Sequence, residues 1–72
     1  MTKLAILNFC LGEVLILSVP DEHLAVLENK YDDNTEDWLT SEGYDEKYGF
    51  NTGSIQYMWL EDDSEIREET IT

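Results

Sequence analysis

Two apolar runs lie close together near the start of this sequence, and they constrain its fold more than any other feature. Leu4, Ala5, Ile6, Leu7 and Phe9 form the first, Val14, Leu15, Ile16, Leu17 and Val19 form the second, and Asn8 to Glu13 separates them. No other stretch has enough contiguous apolar side chains to start a core. Each run is about as long as a typical strand, and Gly12 stands between them, so they read as a β-hairpin rather than a buried helix. Gly12 is the expected residue with positive φ in the Cys10-Leu11-Gly12-Glu13 connection, where a side chain would cost energy. The runs are apolar at both parities, so bulk points to both faces of the pleat. Both faces therefore need cover: one from the helical segment that follows, the other from later chain, a second copy or a partner.

Length limits how good that cover can be. Seventy-two residues make one domain that buries only about 60% of its unfolded surface. Cores of this size rarely contribute more than about 3 to 5 kcal/mol net, so a staple is expected. Cys10 is the single cysteine and cannot form an internal disulfide, and no Cys/His cluster suggests a structural metal or any cofactor. Self-association, as a homodimer, is the staple that remains. The opening apolar run is too short and too interrupted to span a membrane and lacks a cleavage site, which predicts a cytoplasmic protein with no membrane association. With 17 Asp and Glu against 4 Lys and Arg, the net charge is −13. That argues against direct nucleic acid binding and for a basic or amphipathic protein partner.

After the hairpin, Pro20 ends the second strand and Asp21 is the expected N-cap of a helix, with Glu22 favourable at its positive end. Leu24, Leu27 and Tyr31 recur at helical spacing and make a stripe that can lie over one sheet face. Asp32, Asp33 and Asn34 favour turns, so the helix is expected to break there and a second to run from an Asn34 cap through Trp38 and Leu39 to Glu42, with Gly43 left-handed at its end. The alternative is one unbroken helix from about Asp21 to Glu42, since Thr35 and Trp38 continue the same face. Tyr44 to Gly53 has the composition of a loop with aromatic anchors. Ser54 to Glu61 alternates in the manner of a third strand. The expected fold is α+β: a three-stranded antiparallel sheet, made of the N-terminal hairpin and a C-terminal strand, with one or two helices packed on one face. Residues 1–61 form this single domain, and 62–72 form an acidic, frayed tail.

Motifs for chemistry are absent. His23, in the first turn of the helix, reads as a solvated surface residue, and Cys10 has no neighbouring Lys or second Cys to activate it. An EF-hand register starting at Asp32 fails because Gly43 stands where a bidentate Glu is required. No catalytic residue is assigned, and the chain is not expected to be an enzyme. The aromatics of the second half carry more information. Trp38, Tyr44, Tyr48, Phe50, Tyr57 and Trp59 are more than one thin core can bury. Trp38 and one parity of the last strand are expected inside, and the six together are the candidate partner-binding residues.

The segments Lys3-Leu4-Ala5-Ile6-Leu7-Asn8-Phe9, Gly12, Val14, Ile16, Pro20, Trp38-Leu39, Gly43-Tyr44 and Gln56-Tyr57-Met58 resemble a group of short uncharacterised bacterial proteins, often associated with mobile elements. These open with a hairpin and continue into an acidic helix. The resemblance spans about two-thirds of the chain and implies a layout but no activity. Two functions are therefore expected from the residues themselves. The first is a small acidic interaction module, self-associating and binding a protein through its sheet and its aromatic-acidic second half. The second is a DNA mimic that inhibits a nucleic-acid-binding protein, because thirteen charges correspond to about 22 Å of duplex, roughly six to seven base pairs.

Charge alone makes one prediction. A compact domain at −13 repels itself, and the Debye length falls from about 30 Å at 0.01 M ionic strength to about 8 Å at 0.15 M. Thermal melts should therefore show the midpoint rising with sodium chloride, and cutting the chain after Glu61 should reduce the rise. A midpoint that is flat or falls with salt would mean that the acids are already compensated.

Overall fold

The computed structural model describes residues 2–61 and 64–71. Strands β1 (Thr2–Asn8) and β2 (Glu13–Val19) form the expected antiparallel hairpin, paired from Thr2 opposite Val19 to Asn8 opposite Glu13. Gly12 takes φ +63° in the turn, a conformation that a side chain would strain. The late strand β3 (Ile55–Leu60) also runs antiparallel to β1, from Asn8 opposite Ile55 to Lys3 opposite Leu60. The order is β2-β1-β3, which puts the first strand at the centre of the sheet.

Three helices connect the hairpin to β3: α1 (Asp21–Tyr31), α2 (Thr35–Ser41) and α3 (Tyr44–Tyr48). The break between α1 and α2 falls where the turn-forming residues stand. Asp32 and Asp33 both adopt the left-handed conformation, at φ 52° and 62°, which short polar side chains tolerate better than most. Their backbone N–H groups both donate to the Leu27 carbonyl, so the end of α1 is closed by backbone alone. Asn34 then caps α2, its side chain accepting from the Asp37 N–H at 3.1 Å. The unbroken-helix alternative is excluded by this geometry.

Two local expectations are corrected. Asp21 is the first residue inside α1 rather than its cap; Pro20 holds the cap position in extended conformation with no side-chain bond. The segment after Gly43 is not simply a loop, because Tyr44–Tyr48 winds into α3 between two left-handed glycines, Gly43 at φ 79° and Gly49 at φ 75°. A short 3₁₀ turn, Thr52–Ser54, leads into β3. Residues 64–71 carry no helix or strand and are exposed, while the expected tail positions 62, 63 and 72 lie outside the described residues. No described helix is long and apolar enough to cross a membrane.

All helical cover lies on one side of the sheet, as the alternation along β1 shows. Leu4 and Ile6 are fully buried, Asn8 is almost so, and Leu7 between them is 41% exposed. The core consists of Leu4, Ile6 and Val19 from the hairpin, Leu27 from α1, Trp38 and Leu39 from α2, and Phe50 before the 3₁₀ turn. Leu24 and Tyr31, the remaining members of the α1 stripe, pack against it half-buried. Burying a Leu or Ile side chain contributes about 1.5–3 kcal/mol before entropy is set against it, so so few core residues leave little margin.

Asn8 is the polar exception in the core. Its side-chain amide donates to the Gly49 carbonyl at 3.1 Å, and its Oδ1 accepts from the Cys10 N–H at 3.2 Å. One side chain therefore fixes the hairpin turn and ties β1 to the end of α3. Replacing it by Ala removes both of these partly buried bonds and should cost about 1–3 kcal/mol. Leu39→Ala should cost about 2–5 kcal/mol through the cavity it leaves. Against a net stability of about 3–5 kcal/mol, urea titration followed by circular dichroism should show Leu39→Ala largely unfolded in buffer and Asn8→Ala folded with a lowered midpoint. An Asn8→Ala protein as stable as the parent would refute the stapling role.

Candidate interaction surface

The strand register defines the side of the sheet that the helices leave uncovered. Three cross-strand rows point outward: Val14–Leu7–Gln56, Ile16–Ala5–Met58 and Ser18–Lys3–Leu60. Six of these nine residues are apolar, and Leu7, Val14 and Met58 are 41%, 65% and 61% exposed. Phe9 and Leu11, exposed at the hairpin tip, extend the apolar character beyond the strands. Such a contiguous patch differs from the scattered apolar residues of an ordinary surface. Its charge is equally distinctive. None of the nine positions is Asp or Glu, although 17 of the 72 residues are acidic.

The acids collect on the opposite side. Each helix opens on an acidic pair, Asp21-Glu22, Glu36-Asp37 and Asp45-Glu46, where negative charge is stabilised by the helix dipole. Asp32, Asp33 and Glu42 add to them in the connections. Only two ion pairs are formed among the described residues: Arg67 with Glu69 at 2.8 Å and Lys30 with Glu42 at 4.0 Å, both exposed. Exposed pairs of this kind contribute little to stability. The helical layer is therefore a largely uncompensated acidic surface, and the sheet offers an acid-free apolar one.

The six aromatic candidates do not form one surface. Trp38 and Phe50 are 2% and 7% exposed and belong to the core. The reason is volume: α2 offers few aliphatic side chains toward the sheet, and the Trp38 indole fills the space. Trp59, opposite Leu4 on the helix-facing side, is half-buried; its Nε1 donates to the Thr35 hydroxyl at 3.0 Å, and its ring lies 5.8 Å from that of Trp38. Tyr57 is 38% exposed along the β3 edge. Tyr44 and Tyr48 lie together on α3, ring centroids 6.4 Å apart and nearly parallel. The residues that sequence reasoning left out of the candidate set are Leu7, Val14, Ile16, Met58 and Leu60. Their signal was the apolar run at both parities, which shows that a second face needs cover without showing which parity forms it.

The remaining candidates for chemistry stay apart. Cys10 is exposed at the hairpin tip, and His23 is exposed on α1, its Nδ1 3.3 Å from the Tyr44 hydroxyl. No group of three His, Cys, Asp or Glu among the described residues could hold a metal. The fold and its surfaces define a small α+β domain with one covered and one open sheet face. No family model, curated protein or solved structure matches the chain.

Tyr44 gives this region a measurable pH dependence. Desolvation raises its pKa above the ordinary 10.0, helped by the nearby negative charge of Glu42 and by Tyr48 and Tyr31. A raised value means that the folded state holds the proton longer than the unfolded one. The associated stability is therefore complete below pH 10 and is lost as pH rises above it. Melting points measured from neutral pH to above 10 should fall more steeply for the parent than for Tyr44→Phe. Parallel curves would show that Tyr44 ionises alike in both states.

Proposed function

We propose that this chain is a small protein-interaction module that pairs with a second copy through its outward sheet face and so presents two acidic helical layers to a basic or amphipathic protein. The observation that carries the proposal is the absence of any carboxylate from that face. Two molecules of charge −13 repel in almost every orientation, and contact through the helical layers would stack the paired acids at the helix starts. Face-to-face contact keeps those acids far apart and removes apolar side chains from water. It also covers the second apolar face of a domain whose own core is thin.

Size limits the strength of this contact. Three strands spaced about 4.8 Å apart and some six residues long at about 3.3 Å each give a footprint of roughly 14 by 20 Å. Standard interfaces bury about 800 Å² per partner, so the face must recruit the hairpin tip, Phe9 and Leu11, and the pairing is expected to be reversible. The proposal includes no catalytic step, cofactor or metal.

A second reading draws on the same two-sidedness. The acidic pairs of the three helices lie on one layer, the arrangement a DNA-mimicking inhibitor of a nucleic-acid-binding protein needs. The two readings differ in what competes: duplex DNA would displace a mimic from its target but not a module held by apolar contact.

Light scattering coupled to size-exclusion chromatography at 0.15 M salt tests the pairing. The parent should approach dimer mass with rising concentration, and Met58→Asp, which places a charge in the middle row, should remain monomeric with an unchanged far-ultraviolet spectrum. A parent that stays monomeric at millimolar concentration, or a Met58→Asp variant that associates equally well, would overturn it.

A further inference from the structure

A cleft of about 220 Å³ opens between the end of β2, the start of α1 and α3. Pro20, Trp38, Tyr44 and Tyr48 supply much of its wall, and Lys47 and His23 also line it. Its composition runs against that of the chain. The protein has only 4 Lys and Arg and 1 His, yet two of these five line this one cleft, and no Asp or Glu does. Among the described residues Lys47 has no carboxylate within 4.0 Å; its ammonium lies 5.4 Å from the centroid of the Tyr48 ring.

The aromatic wall is continuous. The Trp38 and Tyr44 rings are 5.0 Å apart and tilted at 55°, and Tyr44 and Tyr48 stack at 21°. Trp38 also carries an unmet need. Its Nε1 is buried with no hydrogen-bond partner, whereas the Trp59 Nε1 has Thr35. That atom is closed to solvent, so it reports on the aromatic wall rather than contacting a ligand. Aromatic walls and two groups able to carry positive charge together suit a flat ring bearing an anionic acceptor.

We propose that this cleft binds a small aromatic monocarboxylate, its ring against Tyr44 and Tyr48 and its carboxylate on Lys47 and His23. The cleft is below the roughly 300 Å³ at which drug-sized sites begin, which limits the ligand to a single ring with a short substituent. A monoanion fits better than a phosphate dianion, because the −13 charge of the chain repels the second charge as strongly as the first while one lysine has little left to offset it.

The probe is 4-hydroxybenzoate, titrated into isotopically labelled protein while the indole N–H resonances are followed by nuclear magnetic resonance. The expected result is a saturable shift of the Trp38 indole N–H, with acetate and benzamide binding about tenfold more weakly or less. Lys47→Met, an exposed site whose change leaves the fold intact, should weaken 4-hydroxybenzoate about fivefold or more. No saturable shift up to about 20 mM, equal responses to acetate or benzamide, or a Lys47→Met change below about twofold would overturn the proposal.

Discussion

A three-stranded sheet that is apolar on both faces, in a chain with helices enough for only one, is the constraint on which the rest of this structure depends. β1 takes the centre, and its alternation sends Leu4 and Ile6 under the helices and leaves Ala5 and Leu7 outside. Both neighbours copy the division, because antiparallel partners directly opposite share a face. The distribution of charge follows it too. Acids crowd the helix starts, where dipoles favour them, and are absent from the outward rows of the sheet. The result is a molecule with two chemically opposed sides, which is the basis for the proposed interaction role.

What the sequence made legible was local. The hairpin, its Gly12 turn, the break at Asp32 to Asn34 and the third strand each rest on neighbouring residues whose preferences agree. α3 escaped because five residues are too few to show a helical period and its bounding glycines look like loop punctuation. The central position of β1 escaped because it is settled by pairing across the whole chain. The aromatic set was only partly sorted for a similar reason: Trp38 was expected inside, but composition counts rings, whereas packing decides that Phe50 joins it in the core while Tyr44 and Tyr48 reach its rim. The outward face was half legible, in that its need for cover could be read from the both-parity runs but its membership could not.

A core this small relies on polar ties to hold its parts in place. Asn8 joins the hairpin turn to Gly49, Thr35 receives the Trp59 indole and so joins α2 to β3, and the Tyr31 hydroxyl donates to Glu42 at 3.0 Å across the α1–α2 junction. Each net gain is on the order of 1 kcal/mol. Their larger effect is on uniqueness, since a few aliphatic side chains alone would pack in several ways with little to choose between them.

The β1–β3 pairing also sets the order in which this chain can assemble. The hairpin and helices close over short separations, but Lys3 meets Leu60 across almost the full length of the domain, and the entropy of closing so large a loop must be met before any ladder bond forms. Until β3 arrives, β1 remains an exposed edge beside an apolar face, and nearly all the solubilising charge lies in later residues. β3 thus acts as the latch of the domain: the segment whose docking turns a sticky hairpin under loose helices into a closed sheet.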